Sequence, residues 1–364
     1  MKAINCIGCG GKLQNEDSKK PFYTPKKITE DETIYCQRCY RMRHYGEITP
    51  SYINKDEYLS LLQSIPEDVL VVKVIDLFDI EGSIMPEVMK MVKPSKLIVV
   101  ANKFDLLPKS VKKSKLKQRL NAILHTYELR FDQLLLISAE KNQGIDELID
   151  ALSKAHEGKD IYVIGAANVG KSTLINHMIN AVFKEKRDPI TTFFAPGTTQ
   201  NFIAIPFENV TLYDTPGLLK KNHMFSLLDD VKLKTIQPKN EIKPRVYQLE
   251  VNQTIFVGSL LRMDFLKGLP SDFVFYFSSG LNLHRTKMIN ADTFYEKHKE
   301  DLLKPNLKLS NGKLDLSAHQ FPLKRDQKTD IVIPGLGFFS MQGMGVIRLY
   351  TFKGIVPYQR ESLI

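Results

Sequence analysis

The stretch Gly165-Ala166-Ala167-Asn168-Val169-Gly170-Lys171-Ser172 holds two glycines separated by four residues, followed by Lys and Ser. Such a loop can turn successive backbone N–H groups inward, where they and a helix N-terminus bind phosphate. Lys171 then reaches β- and γ-phosphates, and Ser172, followed by Thr173, reaches Mg2+. A second stretch, Asn102-Lys103-Phe104-Asp105, has the pattern that recognises guanine. Asp105 can accept from guanine N1–H and N2–H, which adenine does not offer. Asn102 can donate to the opposite edge, and the Lys103 stem can cover the ring. A third stretch, Asp214-Thr215-Pro216-Gly217, suits an aspartate that holds Mg2+ through water and a Gly217 N–H that senses a γ-phosphate. In Ala195-Pro196-Gly197-Thr198-Thr199, Thr199 is the residue expected to complete the Mg2+ shell, with Thr198 as its competitor.

The only cysteines form two matched pairs, Cys6-x-x-Cys9 and Cys36-x-x-Cys39, each expected in a short turn. Four thiolates at this spacing can converge on one tetrahedral Zn2+. A redox pair needs one such motif in a thioredoxin-like surround, which is absent, so the expected role is structural. His44 is a weaker candidate for a fifth or substitute ligand. Lys26, Lys27, Arg38, Arg41 and Arg43 surround the pairs, interleaved with Tyr35, Tyr40 and Tyr45. Cations beside aromatics suit RNA contacts; equally, the tyrosines can fill the limited core of a small module.

These groups need elements that position them. Apolar runs at 69–75, 97–101, 134–137 and 161–164 predict buried parallel strands. Three of them run into Asp76-Leu77-Phe78-Asp79, the guanine motif and the phosphate loop, at the carboxyl ends where α/β sheets place function. Asp76 and Asp79 read as caps of a turn and helix. Leu174, Ile175, Met178 and Ile179 continue the phosphate loop at helical spacing, and Ile145, Leu148, Ile149 and Leu152 mark another helix. Lys-rich residues 109–119 precede an apolar stripe of Leu116, Leu120, Ile123 and Leu124. This predicts either a solvated helix face or a phosphate-backbone contact. Residues 202–205 and 210–213 read as paired strands.

With 364 residues the chain can form two or three domains. A charged fraction of 25%, an apolar fraction of 43% and no run long enough to span a membrane describe a globular chain. A net charge of +10 and a pI near 9.2 favour a polyanionic partner such as nucleic acid over an anionic membrane surface. The first residues lack the apolar core of a signal peptide, so a cytoplasmic location is expected, where cysteines serve as metal ligands more than as disulfides.

Most GTPases present the phosphate loop first and the guanine motif later. Here Asn102–Asp105 comes before Gly165–Ser172, as does Ser138-Ala139, a turn that in GTPases offers a backbone N–H to guanine O6. The cyclic order of the parts is intact, which predicts circular permutation of one α/β domain with a mostly parallel sheet and helices on both faces. The combination resembles the circularly permuted GTPases of ribosome assembly, and within them the YqeH group. The resemblance implies a zinc module in 1–50, a permuted P-loop GTPase domain in 51–222 and a β-rich α+β RNA-binding domain in 223–364. It implies that GTP is turned over to GDP and phosphate during maturation of the small (30S) ribosomal subunit, with its rRNA as partner. Leu218 stands where other GTPases carry a catalytic glutamine, and no arginine is assigned as a finger in cis. Asn168 matches an asparagine that relatives use to hold K+ beside the phosphates; its other reading is a loop stabiliser. The expectation is slow turnover alone, raised by K+ and by the ribosomal partner.

Residues 223–364 carry no catalytic motif. A helix through 225–233 is expected, then β stretches at 246–251, 254–257, 273–277 and 346–352, with His284 and Arg285 in a loop as candidate RNA contacts. The rival reading is a zinc-containing nucleic-acid-binding regulator that uses GTP as a switch without significant turnover.

Overall fold

The computed structural model describes residues 4–7, 11–28, 34–45, 50–184, 202–220, 222–228, 230–304, 316–324 and 327–364. Two compact units comprise Met1–Asp105 with Lys117–Lys220, and Leu106–Leu116 with Lys221–Ile364. In the first, helix α1 (Gln37–Tyr45) precedes a two-residue strand, β1 (Tyr52–Ile53), and helix α2 (Lys55–Gln63). Asn54 starts α2 with a reciprocal capping box: its side chain accepts from Glu57 N, and the Glu57 side chain accepts from Asn54 N. The helix buries Tyr58, Leu61 and Leu62.

The central sheet contains β2 (Leu70–Asp76), β3 (Lys96–Asn102), β4 (Gln133–Leu136), β5 (Ile161–Gly165), β6 (Ile203–Phe207) and β7 (Val210–Asp214). Their order across the sheet is β4-β3-β2-β5-β7-β6. All neighbours are parallel except the edge strand β6, which runs antiparallel to β7. Every residue of β2 is buried, so both of its faces are covered. Between the strands lie α3 (Ile80–Ile84), α4 (Pro86–Met89), α5 (Lys113–Thr126), α6 (Ile145–Ala155) and α7 (Lys171–Lys184); β8 (Gly217–Leu218) follows the sheet. On α5, Leu116, Leu120 and Leu124 are buried while Lys113 and Lys115 stay exposed, the arrangement of a solvated helix face. Asp76 caps its turn as expected, accepting from Phe78 N at 2.9 Å, but Asp79 makes no side-chain cap bond to α3.

The C-terminal part of the second unit starts with two short helices, α8 (Met224–Leu227) and α9 (Asp230–Ile236), where the sequence reads as one. Strands β9 (Arg245–Leu249), β10 (Gln253–Val257), β11 (Leu261–Gly268), β12 (Ser271–Phe277) and β13 (Leu283–Lys287) follow, then helix α10 (Ala291–His298). The chain closes with β14 (Leu316–Leu323), β15 (Lys328–Ile333), β16 (Gly337–Gln342), β17 (Gly345–Phe352) and β18 (Tyr358–Glu361). Two antiparallel sheets result, β13-β10-β11-β17-β14 and β18-β15-β16-β12-β9. Their inner faces share one core; Phe265 of one sheet and Phe273 of the other meet edge to face at 5.2 Å. Within the same unit, Ile242 N donates to Leu106 O and Lys109 N to Glu241 Oε1, both at 2.9 Å.

His284 and Arg285 are on the edge strand β13 rather than in a loop. The His284 ring stacks on Phe294 at 4.2 Å, and Arg285 donates to Gln248 O at 3.2 Å.

Candidate functional site

The phosphate loop joins β5 to α7. Gly170 has φ +92°, and a Cβ there would sit 2.3 Å from Asn102 Nδ2. Gly165 is needed for a different reason: its Cβ would meet Val74 O at 2.8 Å. Asn168 adopts φ +63°, a conformation that asparagine tolerates better than most residues. Lys171 is 7% exposed and donates to Gly165 O at 3.1 Å and Ala166 O at 3.5 Å. Burial pushes its ammonium down to about 8; the Asp214 carboxylate opposes that shift and the Arg38 guanidinium adds to it. Tyr58 of α2 brackets the start of the loop, accepting from Gly165 N at 3.2 Å and donating to Gly165 O at 3.4 Å.

The guanine end assembles around Asn102, which is 2% exposed. Its Nδ2 donates to Val169 O at 2.8 Å and its Oδ1 accepts from Ala139 N at 2.9 Å. One side chain therefore ties the guanine motif to the phosphate loop and the Ser-Ala turn. The sequence reading assigned Asn102 and the turn's amide to the base; in the structure they bond each other. Ser138 Oγ donates to Asp105 Oδ1 at 2.6 Å, which fixes the carboxylate and leaves Oδ2 for a base. Lys103 has φ +69° and pairs with Asp76 at 2.5 Å, which holds its stem at the rim.

Asp214, at the carboxyl end of β7, is 1% exposed. Its Oδ2 accepts from Arg38 Nη2 at 2.5 Å, while its buried Oδ1 has no hydrogen-bond partner. Burial raises its pKa, with Arg38 and then Lys171 opposing. An orphaned buried carboxylate oxygen suits a cation, and Ser172 lies in the first turn of α7, which packs on β5 and β7. Gly217 and Leu218 pair in parallel with Tyr52 and Ile53. Gly217 N donates to Ser51 O at 2.8 Å, and Ala167 N of the phosphate loop donates to Leu218 O at 2.9 Å. Tyr52 OH donates to Asn168 Oδ1 at 2.8 Å. Leu218 is 3% exposed, so it offers water no polar handle. Thr199 lies outside the described residues.

The sulfurs of Cys6, Cys36 and Cys39 lie within 4.8 Å of one another, and all three residues are buried. A tetrahedral zinc site with Zn–S near 2.3 Å sets its sulfurs about 3.8 Å apart, so the cluster fits. Cys36 N donates to Cys6 Sγ at 3.1 Å and Cys39 N to Cys36 Sγ at 3.5 Å, contacts that favour thiolates. The second pair sits at the N-terminus of α1, not in a short turn, and that helix end stabilises negative sulfur further. Cys9 lies outside the described residues. His44 is exposed and its ring lies tilted against Tyr40 at 4.3 Å, outside the cysteine cluster. Tyr40 and Tyr45 are 42% and 63% exposed, whereas Tyr35 packs on the cysteine cluster. Arg38 leaves the basic set, because it is buried against Asp214 and Ser51.

The sequence reading missed Arg38, Ser51, Tyr52 and Tyr58 as parts of this site. One signal was available for Arg38: Met42, one helical turn on, is also buried and marks the inward face of α1.

A family model described as "50S ribosome-binding GTPase" matches residues 160–255, and one described as "YqeH-like, C-terminal" matches residues 270–363. The chain is 41% identical to YqeH of Bacillus subtilis (strain 168), covering 100% of both chains. It is 28% identical to "NO-associated protein 1, chloroplastic/mitochondrial" of Arabidopsis thaliana, over 93% of this chain and 69% of that protein. The crystal structure of YjeQ from Thermotoga maritima aligns with 42% of this chain and 48% of its own, at 22% identity and a TM-score of 0.26.

Proposed function

Because this chain belongs to the YqeH family of GTPases, we propose that it hydrolyses GTP as an assembly factor of the small ribosomal subunit, acting on that particle or its rRNA. The observation that carries the nucleotide part is the Asn102 clamp. It brings Asp105, Ser138 and Ala139 to one end of a phosphate loop that begins later in the chain, at Gly165.

Asn102, Lys103, Asp105, Ser138 and Ala139 hold the base; Asn168, Val169, Gly170, Lys171, Ser172 and Thr173 hold the phosphates. Ser172, Asp214 and Thr199 hold Mg2+, which supplies charge neutralisation when bound. Cys6, Cys9, Cys36 and Cys39 hold a structural Zn2+. Asn168 holds K+ once its Oδ1 is free of Tyr52. The strand order supports circular permutation: counted from the phosphate-loop strand, the chain runs β5, β6, β7 and then β2, β3, β4. The modules are 1–50, 51–222 and 223–364, the last an RNA-binding domain, and the setting is the cytoplasm. No helix of the described residues is long and apolar enough to cross a membrane.

The family and the net charge of +10 support a ribosomal partner. The matched family description names the 50S particle, so the test includes both particles. Co-sedimentation with isolated small and large subunits, in GTP and in GDP, should show GTP-dependent binding to the small subunit that weakens steeply with salt. Equal binding with both nucleotides, or binding to the large subunit alone, overturns the assignment. Buried Leu218 keeps a second reading, a GTP switch without significant turnover. Turnover in K+ and in Na+, with and without small subunits, separates the two. Stimulation by K+ and by subunits supports catalysis; negligible turnover in all four mixtures supports the switch.

A further inference from the structure

Four groups that serve a γ-phosphate and its cations are already engaged by the protein itself. Asp214 Oδ2 takes the Arg38 guanidinium, and Gly217 N is given to Ser51 O. Asn168 Oδ1 takes the Tyr52 hydroxyl, and Ala167 N is given to Leu218 O. Three of the four partners come from residues 38–52, the last helix of the cysteine module and the segment after it. Arg38 is held from its other side by Ser51 Oγ at 2.7 Å, so the helix and the segment act together.

We infer that Arg38, Ser51 and Tyr52 form a latch on the γ-phosphate end of the nucleotide site, which GTP with Mg2+ must displace and GDP need not. The inference rests on the GTP reading above and assigns these residues to it as positioning groups. The physical argument is competition for single valences. A backbone N–H makes one strong hydrogen bond, so Gly217 N serves either Ser51 O or a γ-phosphate oxygen. A buried carboxylate needs a countercharge, and Arg38 supplies it to Asp214 when no metal does. Once Mg2+ is present the guanidinium adds a second cation to the same pocket, beside Lys171. GDP lacks the phosphate that claims Gly217 N, so β1 can stay paired with β8. The cysteine module is thereby tied to the identity of the nucleotide through its own helix.

An arginine beside Asp214 has a rival role as an arginine finger, and the two roles predict opposite results. A latch residue holds the nucleotide-free state, so Arg38→Ala should tighten binding of non-hydrolysable GTP. The expected gain is about fivefold relative to GDP in Mg2+, with no gain in EDTA, because the worth of one charge-assisted hydrogen bond is at stake. A finger would leave both affinities unchanged and slow single-turnover hydrolysis. Tyr52→Phe repeats the test without disturbing a buried charge, with a gain of about twofold.

The direct readout is amide hydrogen exchange on the full chain loaded with GDP or with non-hydrolysable GTP and Mg2+. Tyr52 N and Leu219 N, paired to Lys19 O and Ile53 O, should lose protection only in the GTP form. Equal exchange in both forms overturns the latch, as does an unchanged GTP-to-GDP affinity ratio in both variants. A wild-type chain that binds ATP as tightly as GTP would instead overturn the GTP reading, which the same titrations reveal separately.

Discussion

Replacing Asn102 by Ala should damage both the fold of the first unit and its grip on nucleotide. Asn102 makes two buried hydrogen bonds, to Val169 O at 2.8 Å and from Ala139 N at 2.9 Å. Val169 and Ala139 are 2% and 1% exposed, so alanine leaves one acceptor and one donor buried without these partners. Each stranded group costs about 1–3 kcal/mol, so the pair costs about 2–5 kcal/mol after partial relaxation. In a unit of about 200 residues, each kcal/mol moves Tm by about 2–4 °C. The nucleotide-free variant should therefore melt roughly 5–15 °C lower by scanning calorimetry, with the second unit's transition unmoved. GTP and GDP affinities should fall together by at least tenfold, because they share the base and the loop. An apo protein that melts like wild type while losing affinity would refute the clamp and return Asn102 to a pure base contact. Asn102→Asp is the sharper variant. It keeps an acceptor for Ala139 N but sets a carboxylate oxygen against Val169 O, and it should be no more stable than alanine.

Lys73, 0% exposed in the middle of β2, has an ammonium without a hydrogen-bond partner, and burial holds its pKa well below the usual lysine value. The unfolded chain then binds more protons, so stability rises with pH from the depressed value up to the ordinary lysine range. Lys73→Met should remove that slope and stabilise the protein by about 1–3 kcal/mol at pH 7; urea melts at several pH values that keep the slope would count against this. Asp105→Asn should shift preference from guanine towards xanthine nucleotides, checked by competitive binding; an unchanged order would unseat Asp105. Protein purified without chelator should contain one Zn2+ per chain, and Cys36→Ser should lose it. That loss should also raise hydrogen exchange at Leu219, because Arg38 lies two residues from Cys36 and holds Asp214. Base preference should survive, since Asn102 and Asp105 draw their contacts from Val169, Ala139 and Ser138 and not from the cysteine module. Metal analysis that finds no zinc sinks the first statement, and unchanged exchange in a zinc-free variant sinks the second.

The features legible in the sequence are those written in contiguous residues. The phosphate loop needs Gly170 for a positive φ and Gly165 for close approach to a neighbouring strand, and both demands appear as residue types at fixed spacing. The buried parallel strands appear as unbroken apolar runs because cover on both faces leaves no room for alternation. Two of the strands that escaped, both at sheet edges, are of another kind. β14 alternates exposed and half-buried positions and carries Pro322, and β13 is largely polar, because edge strands keep water on one side. Tertiary structure alone decided which distant residues meet. Arg38 and Asp214 are 176 residues apart, Tyr52 and Asn168 116, Asn102 and Val169 67. Met42 one turn on marks the inward face of α1, but nothing local says what Arg38 meets there or that Lys73 does not face solvent. A hydrogen bond between distant residues depends on strand order and register, which emerge only when the chain closes on itself. That closure turned an arginine read as an RNA contact into the counterion of the buried Asp214.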